Sequence, residues 1–258
     1  EETSVEIMDV AICEDSIEVE LVGQGISAWL SLDLLAQNAI HNIYSAMAPN
    51  GTHILHFGWP SVPVGVEYTT IRASWSPCDP LTDSEDAHFM HLGVYRQSQY
   101  NIPDESDTTC TSNPESVCFT DINCNYTSGT LLSLFASQTT LNGSGTSINH
   151  GTLNWEQYCH SHGYPRPGNC GQYRTYRAFG QAQAASCPSG SLSDTTVAVM
   201  PNHTYLHCGD TVCILGIGTK TVTDQLNRLN AQQLDNFNQS VACTGITDLG
   251  DHRTIKVW

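Results

Sequence analysis

The chain of 258 residues carries 9 basic and 26 acidic side chains, a formal net charge of −17, and only 14% charged residues against roughly 25% in an ordinary soluble domain. Such a balance disfavours nucleic acid and anionic membrane surfaces as partners, because neutralising phosphates takes basic surface. The length admits one large domain or two small ones, and 40% apolar residues suffice for a core without staples.

Residues 4–12 and 17–21 alternate apolar and polar, which predicts two strands. In the second, Ile17, Val19 and Leu21 share one face and Glu18 and Glu20 the other. From Trp29 to Ala48, Leu32, Leu35, Ala36, Ala39, Ile40, Ile43 and Met47 recur at three- and four-residue steps. That spacing predicts a helix over 29–48, capped by Ser31 or Asp33 and stopped at Pro49-Asn50-Gly51. The period then changes. Residues 52–57, 64–75, 89–96, 130–137, 173–181, 195–200 and 212–217 predict short strands, separated by turn-forming clusters such as LNGSGTS and CPSGS. A second helix is expected over 223–239, with Val222, Leu226, Leu229, Leu234 and Phe237 as its apolar stripe, and a last strand over 253–258. The expected fold is mainly β, a disulfide-stabilised β-sandwich-like body with one helix near each end; the alternative is α+β. A single domain over 1–258 is expected, with a weaker boundary near 104–124, where acidic loops meet a Cys-rich segment.

Eleven cysteines read as metal ligands inside a cell and as disulfides outside it. No CxxC occurs, so neither a zinc ribbon nor a thioredoxin-like motif is present. Five Asn-x-Ser/Thr acceptors, at Asn50, Asn125, Asn142, Asn202 and Asn238, point to an oxidising, glycosylating route and an extracellular or surface location. The framework is then disulfides, although spacing does not fix connectivity. Local pairs such as Cys159–Cys170 and Cys208–Cys213 would close short loops. An odd count leaves at least one cysteine over, available for a bond to a second subunit. No apolar run approaches the roughly 20 residues of a membrane helix, so an anchor is expected only outside these residues.

Catalytic and metal signatures are sparse. His53 and His56, and His88 and His91, stand three apart in strand-like text, on opposite faces. His203 and His207 share a strand face but lie roughly 13 Å apart along it. No HExxH or GxSxG occurs, and the acidic runs 79–86 and 104–107 lack the ligand spacing of an EF-hand loop. No metal and no cofactor is expected.

One stretch remains, from Cys159 to Cys187. It holds Arg166, Arg174 and Arg177, three of the chain's seven arginines, beside His160, His162, Tyr164, Tyr173 and Tyr176. Tyr and Arg anchor interfaces, since each gives wide contact and directed hydrogen bonds at modest entropic cost. Read as a strand, Tyr173, Thr175 and Arg177 point one way and Arg174 and Tyr176 the other. None of the five acceptors falls between Asn142 and Asn202, so the stretch is expected to be free of glycans. The plainer reading is that these arginines neutralise the chain's own acids and the tyrosines pack inside.

The resulting expectation is an extracellular glycoprotein ectodomain, not an enzyme, that binds a cell-surface protein receptor or a glycan through these eight residues. Viral envelope attachment domains have this composition, as do secreted surface proteins of eukaryotes. Two other classes stay open: a secreted hydrolase using His150, His160 or His162 with an acid, and a structural surface-coat subunit joined through the spare cysteine.

Overall fold

The fold is that of a computed structural model, which describes residues 3–22, 27–76, 81–156, 158–178, 187, 192–226, 229–238, 243 and 247–258. It is mainly β, with 58% of residues in strands against 11% in helices. Two compact units are present, one of Glu1–Arg96, Asn202–Val222 and Asp251–Trp258, the other of Gln97–Pro201 and Thr223–Gly250.

The first unit is a sandwich. Strands Ser4–Ala11, Ser16–Val22 and Gly51–His56 form one antiparallel sheet. The other includes Ser27–Ala36, paired on one side with Ala39–Pro49 and on the other with Glu67–Ser76. Along Ser16–Val22, Ser27–Ala36 and Glu67–Ser76 alternate residues face inward, as period-two geometry requires. Ile17, Val19 and Leu21 thereby meet Leu30, Leu32, Leu34, Ile71, Trp75 and Phe89 in one core. Cys13 and Cys213 are bonded within this unit.

The helix expected over 29–48 is a hairpin. Two strands run to a turn at Gln37-Asn38, and Ala36 pairs with Ala39. The helical stripe is not a buried face: only Leu32 of it is buried, while Ile40 is 64% exposed and Met47 56%, and the buried row is Leu30, Leu32 and Leu34. Leu and Ala favour helix, but the sandwich needs an inward row at every second residue. Burying that row outweighs propensities of a few tenths of a kcal/mol per residue. The second expected helix, over 223–239, is corrected likewise. Its text ends the strand Gly218–Gln225 and forms the strand Gln233–Phe237. Its apolar residues were rightly chosen, since Val222, Leu229, Leu234 and Phe237 are all buried.

The second unit holds a five-stranded sheet, ordered Ser144–Ser147, Gly151–Trp155, Thr175–Arg177, Pro114–Thr120, Tyr126–Leu132. Helix Ser133–Asn142 packs Phe135, Ala136 and Thr139 into its core. Residues 130–137, expected as strand, thus divide at Leu132. The helix start is held by its surroundings, as the Leu134 N–H donates to the Ser112 hydroxyl and the Ser133 N–H to the Asn113 carbonyl. Glu105, from the acidic run 104–107, is buried; its carboxylate accepts from the Ser147 hydroxyl at 2.6 Å and from the N–H groups of Leu132 and Ile148. Those bonds tie the helix start to the sheet.

Ten of the eleven cysteines are disulfide-bonded, and Cys78 lies outside the described residues. Five disulfides fit folding in an oxidising compartment. The local pairs are corrected. Cys159 joins Cys124, Cys170 joins Cys118, and Cys213 joins Cys13; Cys208 is also bonded. Cys110 joins Cys243. Among the described residues, no helix is long and apolar enough to cross a membrane.

Candidate functional site

The candidate stretch belongs to the second unit, where two disulfides decide its shape. Cys118 lies in the strand Pro114–Thr120, and Cys124 in the turn that follows. The loop 159–170 is therefore not closed on itself. Each of its ends is bolted to the same β-hairpin, which fixes the loop before any partner arrives.

The loop opens with the single helical turn Tyr158–Ser161. The Cys159 N–H donates to the buried Glu156 carboxylate. His160 is exposed, and His162 is exposed with its ring stacked on Tyr158 at 4.0 Å. The His162 Nδ1 lies 2.9 Å from the Tyr158 carbonyl oxygen and so donates to it. Tyr158 was not picked out from the sequence. Its signal was available, four positions before His162, where helical residues share a face. On the surface Tyr158 also carries Arg177, whose guanidinium carbon sits 5.4 Å from the ring centroid.

Beyond the helical turn the chain forms an open groove of about 380 Å³, lined by His160, Gly163, Tyr164, Pro165, Arg166 and Gly171. Tyr164 is 48% exposed. Arg166 is half-buried; its Nε is buried and has no hydrogen-bond partner among the described residues.

Farther along, Thr175 and Tyr176 turn inward. Thr175–Arg177 pairs in parallel with Pro114–Thr120 and antiparallel with Gly151–Trp155, which makes it a central strand. A strand on each edge does not by itself cover its faces, yet here neighbouring residues on opposite faces are both out of water. Thr175 and Tyr176 are both buried. Tyr176 therefore leaves the expected binding surface. Its hydroxyl donates to the Ala136 carbonyl at 2.6 Å, its ring meets Trp155 edge-on at 5.8 Å, and burial pushes its phenol up to about 12. Arg174 is committed as well, bonded to Glu115 at 2.9 Å. Tyr173 and Arg177 are half-buried. The eight residues thus divide into an outer set of His160, His162, Tyr164, Arg166 and Arg177, the buried Tyr176, and the half-buried Tyr173 and Arg174, the latter paired with Glu115.

None of the five glycan acceptors is buried. Asn125, however, stands next to Cys124, whose bridge to Cys159 ends one residue from both Tyr158 and His160. The Asn125 side chain donates to Asp121 at 2.8 Å. That bond, with backbone N–H groups of Asn125 and Asn123 and the positive charge of Arg177, holds the Asp121 carboxyl below the usual carboxylate range. Absence of an acceptor between residues 142 and 202 did not show what the disulfide places nearby.

Of the histidines considered for hydrolysis, His150 stacks on Phe119 at 4.0 Å, and none of His150, His160 and His162 is bonded to a carboxylate among the described residues. No group of three or more His, Cys, Asp or Glu is placed to hold a metal ion among those residues. No known family matches the sequence, and comparison with curated proteins and with solved structures finds no similar protein.

Proposed function

We propose that this chain is an extracellular glycoprotein ectodomain that recognises a cell-surface partner, a protein receptor or a glycan, in the manner of viral envelope attachment domains. The observation that carries the reading is the loop 159–170. It is tied at both ends by disulfides and displays His160, His162, Tyr164 and Arg166 on its outside. Rigid presentation cuts the ordering cost of binding, and exposed Tyr and Arg are the residues that gain most from it. Five disulfides support export, as do the acceptors Asn50, Asn125 and Asn202, which are exposed; Asn142 and Asn238 are half-buried.

The test is attachment of the purified, glycosylated chain to a panel of cultured cells, read by flow cytometry. Tyr164→Ala and Arg166→Ala should each lower attachment at least tenfold while thermal unfolding stays as in the parent. If no cell type is bound, or if both variants attach as the parent does, the reading is wrong.

A further inference from the structure

We propose that the groove beside Tyr164 and Arg166 takes a single sugar residue bearing a carboxylate, a nonulosonic or uronic acid at the end of a glycan. This deepens the recognition reading given above and rests on it for its biological setting.

The argument starts from charge. In a chain of net charge −17, positive side chains are expected to find acids at home, and most described arginines do have company. Arg72 is bonded to Asp33 and Arg174 to Glu115. Arg253 is bonded to His91, and Arg177 lies over Tyr158. Arg96 has interactions of its own. Arg166 differs. Among the described residues it makes no ion pair and no hydrogen bond; its Nε is buried, as are those of Arg72 and Arg177, but those two guanidiniums have an acid and an aromatic ring for company. A guanidinium is a planar fork of donors that fits a carboxylate through two parallel bonds. The buried Nε is closed to a ligand, so a carboxylate in the groove would be held end-on by the two terminal Nη groups.

The walls suit a sugar. Gly163 and Gly171 line the groove, and a Cβ at either would meet nothing within 4 Å, so the space above them is open. Gly163 has a φ of +80°, a turn that other residues adopt with strain. Tyr164 and Pro165 offer apolar faces to the C–H side of a pyranose ring, and His160 and the Tyr164 hydroxyl offer hydrogen bonds to its hydroxyls. A volume of about 380 Å³ lies at the small end of ligand sites, which run from roughly 300 to 1,000 Å³. Charge also sets an upper bound on the ligand. Sulfated or phosphorylated polymers bring many negative charges to an acidic chain and are repelled, whereas one carboxylate against one arginine is locally neutral.

The test uses the whole disulfide-bonded chain and saturation-transfer NMR, which reads weak binding. The probes are 3′-sialyllactose, a glucuronic-acid-terminated disaccharide, and lactose. At least one acidic sugar should bind and lactose should not; which acid binds assigns the source of the carboxylate. Arg166→Gln should weaken that binding at least tenfold, and Arg166→Lys by a smaller factor, since it keeps the charge and loses the fork. If Arg166→Gln does not fold, Tyr164→Ala takes its place, as that ring is half exposed and its loss should abolish transfer to the pyranose protons. Binding of neither acid, equal binding of lactose, or acid binding unchanged in these variants overturns the proposal. The two readings separate cleanly. Cell attachment that depends on the loop, with no acidic sugar bound, leaves recognition standing and removes the carboxylate. Sugar binding at Arg166 without attachment to any cell does the reverse.

Discussion

Exchanging Leu34 or Leu35 for Ala distinguishes a strand from a helix at residues 29–48 in one experiment. In the hairpin, Leu34 points into the sandwich and is fully buried, whereas Leu35 faces the other way and is half-buried. Leu34 shares its core with Leu32, Ile71 and Phe89. Leu→Ala removes three carbons, worth about 2.4 kcal/mol in transfer free energy at roughly 0.8 kcal/mol each. The incompletely closed cavity adds to this, which places Leu34→Ala at about 3–5 kcal/mol. Leu35→Ala leaves no closed cavity and should cost about 1 kcal/mol or less. Urea unfolding of the oxidised protein, followed by tryptophan fluorescence, gives both values. A helical stripe would reverse the order, since Leu35 belongs to it and Leu34 does not. Equal losses, or a larger loss at Leu35, would refute the hairpin.

Removing the Cys124–Cys159 bridge by a double change to Ser releases a closed loop with a sequence separation of 35, which should destabilise the chain by about 4 kcal/mol in the chain-entropy account; a loss under about 1 kcal/mol in urea would contradict it. Tyr176→Phe deletes the bond to the Ala136 carbonyl and should cost about 1 kcal/mol of stability while leaving cell attachment untouched, so lost attachment without lost stability would return Tyr176 to the site. Burial holds the His91 imidazole below its ordinary value, and the charge of Arg253 at its Nε2 acts in the same direction, against the bond to the Val62 carbonyl. The unfolded chain then takes up a proton below about pH 6.5 that the folded chain refuses, so stability should fall with pH by up to about 1.4 kcal/mol per unit from this group, and His91→Asn should flatten the slope between pH 5 and 7 in urea titrations.

Much of the core was legible in the sequence, while the element type of two long stretches was not. Alternation located Ile17, Val19 and Leu21 without ambiguity, because Glu at every second position fits no helical face. The stretch 29–48 satisfies two periods at once. Its even positions Ala28, Leu30, Leu32 and Leu34 are apolar, and so is the set at three- and four-residue steps. Only the partner strands decide between them: Leu34 is paired to His41 within the stretch and to Ile71, 37 positions on, which no local pattern reveals. The same holds for 223–239, where the apolar residues were right and their geometry wrong, because strand text with Leu, Asn and Gln carries little β propensity of its own.

At the candidate site the missing information was covalent. Residue spacing made Cys159 and Cys170 look like the two ends of one ring, with Tyr and Arg displayed inside it. Bonding each to the 114–132 hairpin instead has two consequences that sequence distance hides. It draws the following residues into a central strand, which is why Tyr176 serves the interior and Arg174, just before it, is paired with Glu115, while Arg166 lines the open groove. It also sets Asn125 one residue from one end of the Cys124–Cys159 bridge, and Tyr158 and His160 one residue from the other. A glycan on Asn125 therefore borders the outer set of side chains, on the side marked by Tyr158 and Arg177. The groove at Gly163, Tyr164 and Arg166 belongs to the later part of the loop, past that helical turn. Proximity of the acceptor thus bears on the Tyr158–Arg177 flank and on His160, the groove residue next in sequence to the Cys124–Cys159 bridge, before it bears on Tyr164 and Arg166 farther along the loop.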